Sequence, residues 1–356
     1  MRSMRLRSTD LSRRGLIAVG EMLVMLAVLV TLFWLGSQFL ATFTSGPTSA
    51  LPLSTACSER AVFRISPTAD GKRLWVYRPC SGVARLDLTT GEMEQPLPSA
   101  EMELTALAHS CDGSTTLLCG ADGTVSLNCD GEESRFFSVH MKDNDMIRNA
   151  SVSDEGTVSA CVTSLGRVFV WSRPGADLRE FTYDLDSDAS ISQIKLNRTG
   201  RRLLVFRCDG TVSFHNPETG ELIGGSLHFG PDCTAVAWSD NERLVGALFS
   251  TNKVRVYEAA ECTIACEQRL DTHHCLYGKI EFSPDGHWIA IITDVSKEIH
   301  IWNLETGQIA GPLRGHEGIV RAIRFSPTSD RLYSGSFDGT IREWSLDGCS
   351  QPRVIN

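Results

Sequence analysis

Short runs of alternating apolar and polar residues recur along the chain from about residue 60 to its end. The runs are rich in Val, Ile, Phe and Trp, and they end at Gly, Pro, Asp or Ser, which is the pattern of β-strands about four to eight residues long. This part of the chain shows no helical period of apolar residues. The pattern therefore predicts an all-β body.

Two features of these runs repeat seven times each with the same period. The first is a β-branched residue that begins one strand, at intervals of 42 to 45 residues: Val83, Val125, Val168, Val212, Val254, Ile299 and Ile341. The second is a polar turn residue, at intervals of 42 to 44: Ser66, Ser110, Ser153, Asn197, Ser239, Ser283 and Ser326. One sheet of four short strands cannot bury its own faces, but a ring of such sheets can. We therefore predict a seven-bladed β-propeller of four-stranded antiparallel blades over residues 57–356.

A long apolar segment precedes this body. Residues 15–43 carry one charge, Glu21, and about 20 apolar residues in a helix span a bilayer. The first 14 residues hold five Arg and one Asp, and positive charge marks the cytoplasmic side of a membrane helix. We predict a basic cytoplasmic tail (1–14), one transmembrane α-helix in contact with lipid (15–43) and a Ser/Thr/Pro-rich linker (44–56). The propeller would lie on the extracytoplasmic side.

Two other interpretations of the N-terminus stay open. A cleavable secretory signal is one, although its apolar core is usually about 7–15 residues long. The other rests on Arg13-Arg14-Gly15 and Glu21, which resemble the leader of pilin-like proteins. In that family the leader is cut after the Gly, and a Glu lies five residues beyond it, whereas Glu21 lies six beyond Gly15.

The last repeat resembles the WD-repeat family. It contains Gly315-His316, the run from Ser334 to Ile341 (SGSFDGTI) and then Trp344. The resemblance implies a buried hydrogen-bonded tetrad of His316, Ser334 or Ser336, Asp338 and Trp344. The Trp-Asp dipeptide is never complete, since Trp344 is followed by Ser345. The resemblance further implies a non-catalytic scaffold that binds other proteins.

The charge of the chain bears on its partners. The net charge is −9 although the N-terminal tail is basic, and an acidic body argues against nucleic acid as a partner. In a propeller, the loops between blades share one rim with the turns between the second and third strands. Acidic residues concentrate in these loops and predict a protein partner of basic character: Glu101, Glu103, Asp143, Asp145, Asp184, Asp186 and Asp188.

The remaining candidates for chemistry are weak. Asp184, Asp186 and Asp188 imitate the start of a calcium loop, but Ala189 and Lys195 stand where Gly and Glu are required. His273, His274 and Cys275 lack a fourth metal ligand. No phosphate-binding loop or nucleophile elbow occurs. We therefore predict no cofactor, no metal and no enzymatic activity; a propeller enzyme without a recognisable motif and a pilin-like assembly subunit are the alternatives.

Twelve cysteines are present, without a C-x-x-C pair that would suggest zinc. They are interpreted as small buried apolar residues, with disulfides as the alternative. A closed ring needs an outer strand for its last blade, and either residues 51–57 or residues 351–355 would supply it. Cys57 and Cys349 flank that closure. On the oxidising side of a membrane they are predicted to form a disulfide.

Overall fold

The structure is a computed structural model that describes residues 61–355, except for 80, 95–102, 111–112, 130–133, 143–144, 174–177, 186–188, 262, 272–277, 294–295 and 347–351. All of them belong to the unit Leu53–Asn356. Within these residues no helix has the length and apolar character needed to cross a membrane. The predicted tail, transmembrane helix and linker lie outside the described residues.

The described residues form seven antiparallel sheets, and in each the strands pair in the order in which they follow one another in the chain. The first blade has three strands, with one further bridge from Leu86 to Met93: β1 Arg64–Pro67, β2 Arg73–Arg78 and β3 Gly82–Asp87. The next two blades have four strands each: β4 Leu104–His109, β5 Thr115–Gly120, β6 Thr124–Cys129 and β7 Arg135–Ser138; then β8 Ile147–Val152, β9 Val158–Thr163, β10 Arg167–Ser172 and β11 Arg179–Asp184.

The other four blades follow the same plan. The fourth and fifth are β12 Ile191–Leu196, β13 Leu203–Arg207, β14 Thr211–His215 and β15 Leu227–His228; then β16 Cys233–Trp238, β17 Leu244–Phe249, β18 Lys253–Glu258 and β19 Thr263–Arg269. The sixth and seventh are β20 Gly278–Phe282, β21 Trp288–Thr293, β22 Ile299–Asn303 and β23 Ile309–Leu313; then β24 Val320–Phe325, β25 Arg331–Ser336, β26 Ile341–Ser345 and β27 Arg353–Ile355. The seven-bladed propeller predicted from the repeats is confirmed.

A side-chain cap recurs at the turn between the first two strands of every blade. One polar side chain accepts the backbone N–H of the residue five positions later, at 2.9 to 3.2 Å. The capping residues are Thr68, Ser110, Ser153, Asn197, Ser239, Ser283 and Ser326. This cap explains the second repeat marker, because Ser, Thr and Asn side chains satisfy turn N–H groups. It also corrects one prediction: Thr68, not Ser66, takes this place in the first blade.

The core lies between the blades. Seven clusters of buried apolar side chains are present in the described residues, and each joins two neighbouring blades. One of them holds Val62 and Leu74 of the first blade together with Tyr333 and Ile355 of the last. The ring is therefore closed by apolar packing.

The contact between the first and last blades, here called the seam, has three further features. The tail strand β27 pairs with β26, so residues 353–355 supply the outer strand of the last blade. The Val62 N–H donates to the Ser336 carbonyl at 3.0 Å. Gly335 faces Val62 so closely that a Cβ atom there would lie 2.4 Å from the valine Cγ1. The seam thus depends on a residue without a side chain.

The first strands of the seven blades surround an axial channel of about 480 Å³. Ser66, which was predicted to be a turn residue, lies within β1 and lines this channel.

Candidate functional site

The seventh blade brings four of the predicted site residues together. The Trp344 indole Nε1–H donates to Ser334 Oγ at 2.8 Å, and the Ser334 hydroxyl donates to His316 Nε2 at 2.7 Å. His316 Nδ1–H donates to Asp338 Oδ2 at 2.9 Å. Ser334, rather than Ser336, is the bridging hydroxyl; the Ser336 hydroxyl accepts the Asp338 N–H instead.

The charge states of this tetrad follow from burial and hydrogen bonding. Burial lowers the pKa of His316, although the bond to Asp338 opposes the shift. Burial acts to raise the pKa of Asp338, but hydrogen bonds from Thr340, His316 and Glu317 outweigh it and hold this pKa far below its usual value. At neutral pH the tetrad therefore contains a neutral imidazole and a carboxylate.

The chain His316–Ser334–Asp338 has the same types of residue as a hydrolase triad, but it cannot act as one. The Ser334 side chain is fully buried. Its Oγ atom already accepts a hydrogen bond from the Trp344 indole N–H. A nucleophilic serine must reach a substrate carbonyl. The role of the tetrad is therefore structural.

The register of the strands identifies the equivalent positions in other blades. Ser334 lies opposite Arg342 in the seventh blade, and the corresponding residues are Cys161 in the third and Ile291 in the sixth. Neither offers the oxygen that Ser334 supplies. Accordingly, the indole N–H groups of Trp171 and Trp302 have no hydrogen-bond partner within the described residues.

The fourth blade contains a different buried polar chain that the sequence reasoning missed. Arg207 Nη1–H donates to Ser213 Oγ at 2.7 Å, and the Ser213 hydroxyl donates to His215 Nε2 at 2.9 Å. His215 Nδ1–H then donates to the Gly220 carbonyl at 2.9 Å. His215 stands three residues after Val212, where Trp344 stands after Ile341. A histidine at the repeat position where other blades have a tryptophan is the sequence feature that could have indicated this polar chain.

Three of the seven predicted rim acids are described, and they differ in their surroundings. Glu103 is exposed. Asp145 Oδ1 accepts the Ser164 hydroxyl at 2.8 Å and the Leu165 N–H at 3.1 Å, so it ties a loop between blades to the turn between β9 and β10. Asp184 is the last residue of β11, not a loop residue. It faces two cations, Arg167 Nε at 3.2 Å and Lys142 Nζ at 3.5 Å.

The described part of the rim is therefore less acidic than the sequence suggested. Asp145 serves the loop structure, and Lys142 and Arg167 offset the charge of Asp184. Of the three described members of the predicted set, Glu103 remains open to a partner. Glu101, Asp143, Asp186 and Asp188 lie outside the described residues.

The predicted disulfide and metal candidates also fall outside the described residues, since Cys57, Cys349, His273, His274 and Cys275 all lie there. Six described cysteines have free thiols: Cys119, Cys129, Cys161, Cys208, Cys233 and Cys266. Within the same part of the chain, no group of three His, Cys, Asp or Glu side chains is placed to hold a metal ion.

Comparisons with known proteins agree with this geometry. Residues 307–345 match the family model "WD domain, G-beta repeat"; they run from the turn after β22 to the last residue of β26. In solved structures, the β-propeller domain of Myceliophthora thermophila Cps50 (Swd1) superposes with a TM-score of 0.68 at 18% identity. The superposition covers 80% of this chain and 97% of that one. At this identity it shows the fold alone.

Similarity to curated proteins is local. Periodic tryptophan protein 2 homolog of Neurospora crassa is 41% identical over 76 residues, which is 20% of this chain and 8% of that protein. COMPASS component SWD2 of Saccharomyces cerevisiae is 28% identical over 139 residues, 35% of this chain and 38% of that protein. The chain thus spans less than two fifths of the length of either relative. Together with the seven sheets, these findings identify the chain as a seven-bladed β-propeller in which residues 307–345 match the WD-repeat model.

Proposed function

We propose that this chain is a membrane-anchored scaffold whose propeller binds a protein partner without catalysing a reaction. The observation that carries the proposal is the tetrad, because the one triad-like group in the described residues is buried and structural. A rigid closed ring with exposed loops on both faces suits a binding platform. One relative is named as a component of the COMPASS assembly, which supports a role in a complex.

The proposed binding surface is the rim formed by the loops between blades and the turns between second and third strands. Backbone hydrogen bonds join these two sets of loops in four consecutive blades; the Val139 N–H, for example, donates to the Gly123 carbonyl at 3.0 Å. Such bonds hold the rim in one shape. Its exposed acid Glu103, with the neighbouring Glu101, favours a basic partner.

The proposed anchor is residues 15–43, with residues 1–14 in the cytoplasm and the propeller on the other side. Support comes from the apolar length of the segment and the five arginines before it. Protease added to intact spheroplasts should digest the propeller, and deletion of residues 15–43 should release it from the membrane fraction. A protected propeller would refute the orientation, and an unreleased one would refute the anchor.

The binding function is tested by crosslinking in intact membranes and identification of the captured protein. The double variant Glu101→Gln/Glu103→Gln should then slow association with that protein at low salt, because rim charges act mainly on association rate. The matched control is Glu218→Gln/Glu305→Gln, which removes two exposed acids from the opposite face. Equal rates for both variants and the wild type at every ionic strength would exclude the acidic rim as the binding surface.

A further inference from the structure

The axial channel carries the opposite charge to the chain as a whole. Alternate residues of the first strand in each blade face the channel. They are the residues four positions and two positions before the capping residue of that blade. Four of the side chains in these positions are cationic, namely Arg64, Lys195, Lys279 and Arg324, and one is a carboxylate, Glu281. The whole chain has a net charge of −9. Asp154 and Asp240 also line the channel, so its lining has four cations and three carboxylates and is more positive than the chain as a whole.

Three of these cations are held by the same type of bond, from one blade to the first strand of the next. Arg64 Nη1 donates to the Leu107 carbonyl at 2.7 Å. Lys195 Nζ donates to the Trp238 carbonyl at 3.1 Å, and Lys279 Nζ donates to the Arg321 carbonyl at 2.7 Å. A carbonyl orients a cation but leaves its charge in place. Among the described residues, the channel cation that forms an ion pair is Arg324, with Glu281.

The cations are not spread evenly around the channel. Lys279 of the sixth blade and Arg64 of the first lie at the same level, on either side of Ala322 in the seventh. Arg324 lies two residues further along the same strand as Ala322, on the same side. The small alanine leaves space between the three cations. Arg64 Nη1 reaches away from it to the Leu107 carbonyl of the second blade, which leaves the other guanidinium donors for the channel. We call Arg64, Lys279, Ala322 and Arg324 the cationic notch.

The pKa shifts in the notch are those expected where positive charge is in excess, although Glu281 acts to raise the pKa of Lys279. Burial, and then the charges of Arg64, Arg324 and Arg321, lower the pKa of Lys279 well below its usual value. Burial and then Arg324 also lower the pKa of Arg64. Nearby, burial and then Arg324 and Arg64 lower the pKa of His109 to about 3. These groups repel one another, and an anion placed among them would relieve that repulsion.

The other side of the channel is different. Lys195 lies across from the notch, and the carboxylates of Asp154 and Asp240 line the channel near it. Both carboxylates lie close enough to Lys195 for its charge to lower their pKa values, although burial raises them more. Two carboxylates thus lie near the single channel cation Lys195. In the notch one carboxylate, Glu281, interacts with Lys279 and Arg324, so the three cations there are offset only in part.

The notch is open to a ligand. Lys279 and Arg324 are exposed to the channel and Arg64 is partly exposed. Lysine has three N–H donors and arginine five, so each of the three cations keeps donors beyond its bond to a carbonyl or to Glu281. Three cations near one another match the three free oxygens of a phosphate monoester better than the two of a carboxylate.

We propose that the channel is a binding site for the phosphate group of a small soluble molecule, held in the cationic notch by Arg64, Lys279 and Arg324. The channel volume of about 480 Å³ suits a small molecule. The Lys279 ammonium and the free guanidinium donors of Arg64 contact the phosphate oxygens from the blades on either side of Ala322. Arg324 contacts them from its position two residues further along β24.

The test is calorimetric titration of the full-length chain, in detergent at constant ionic strength, with inorganic phosphate and with glycerol 3-phosphate. Both probes should bind. Lys279→Gln and Arg64→Gln should each weaken binding about tenfold or more, the effect of losing one charge-assisted hydrogen bond. The matched control is Lys195→Gln, which removes a lysine with the same carbonyl bond on the opposite wall and should change affinity less than about twofold.

Three outcomes would overturn the proposal. The first is that the wild type binds neither probe. The second is that Lys195→Gln weakens binding as much as Lys279→Gln. That result would mean that the overall positive potential of the channel attracts the anion and that the notch is not a specific site. The third is binding of a phosphoserine peptide without binding of either small probe, which would assign the notch to a protein ligand.

A second measurement does not depend on the folding of any variant. The Lys279 ammonium signal in a ¹⁵N-lysine spectrum of the wild type should titrate at a higher pH when phosphate is present, because a bound anion stabilises the charged form. An unchanged titration of Lys279 at saturating phosphate would also refute the proposal.

Discussion

The seventh and sixth blades place a tryptophan at the same position of the same strand and treat its indole N–H differently. Trp344 is 4% exposed and donates to Ser334. Trp302 is 2% exposed, and its N–H has no partner within the described residues. Trp171 of the third blade is like Trp302. Burial of the ring is common to all three, whereas the hydrogen-bonded network belongs to the seventh blade.

The comparison separates two contributions of this tryptophan. The first is apolar packing against the preceding blade, which every copy makes, and it is the larger. The second is the polar network, which fixes the turn from Asp338 to Thr340 beside the seam. A buried N–H without a partner costs about 1–3 kcal/mol, so the third and sixth blades bear a cost that the seventh avoids.

The largest expected effect is common to both blades. Trp344→Ala and Trp302→Ala should each lower the free energy of unfolding by about 3–5 kcal/mol, because each removes a large buried aromatic ring. Urea denaturation of the two variants and the wild type measures this loss. A loss below 1 kcal/mol for either variant would show that the ring is not part of the core.

The next effect distinguishes the two blades. Trp344→Phe loses a donor to Ser334, while Trp302→Phe removes a buried N–H that has no partner. Since both lose similar volume, Trp344→Phe should be less stable than Trp302→Phe by about 2 kcal/mol. Equal denaturation midpoints for the two phenylalanine variants would contradict the proposed role of the network.

Acid should weaken the seventh blade through His316. Burial lowers its pKa below 6.5 in the folded chain, so the unfolded chain binds a proton in a range where the folded chain does not. The stability that depends on neutral His316 is present above about pH 6.5 and is lost as the pH falls towards the folded value. The free energy of unfolding should therefore fall more steeply between pH 7 and about 5 in the wild type than in His316→Gln. Parallel curves would contradict this.

The smallest effect would transfer part of the network to the third blade. Cys161 occupies the position of Ser334, ten residues before Trp171. Cys161→Ser places a hydroxyl at the position from which Ser334 accepts the indole N–H in the seventh blade. This variant should raise the free energy of unfolding by up to about 1 kcal/mol. Slower hydrogen exchange of the Trp171 indole N–H would report the new bond. A clear loss of stability would mean that the hydroxyl finds no partner there.

Most of the ring was predictable from the sequence because its markers have physical causes. The residues of the β-branched series are first or second in the third strand of each blade and are fully buried in every blade. The polar series caps a turn in six of the seven blades. Ser66 was misassigned because it and Thr68 are both small hydroxyl residues near the end of β1. Ser334 and Ser336 could not be distinguished, since residues two apart in a strand point to the same side.

The charged sites were less predictable. The partners of Arg64, Lys195 and Lys279 are backbone carbonyls, which leave no mark in a sequence. Asp145 and Asp184 were assigned to the rim by position, but their partners come from other strands and loops: Ser164, Leu165, Arg167 and Lys142. A loop acid is free or occupied according to contacts that no local pattern encodes. Alignment of the seven first strands could have revealed the cations that face the channel.

The closing of the ring has a consequence for how the chain could be rearranged. Every sheet consists of consecutive strands, so no blade borrows a strand from the other end of the chain. Val62 and Ile355, near the two ends of the described residues, pack in one cluster. A short peptide joining these ends, with new termini opened in an exposed loop between blades such as that at Pro231, would leave all seven sheets made of consecutive strands. The packing of the ring therefore does not depend on which blade comes first in the chain, and any blade could hold the N-terminus of the propeller.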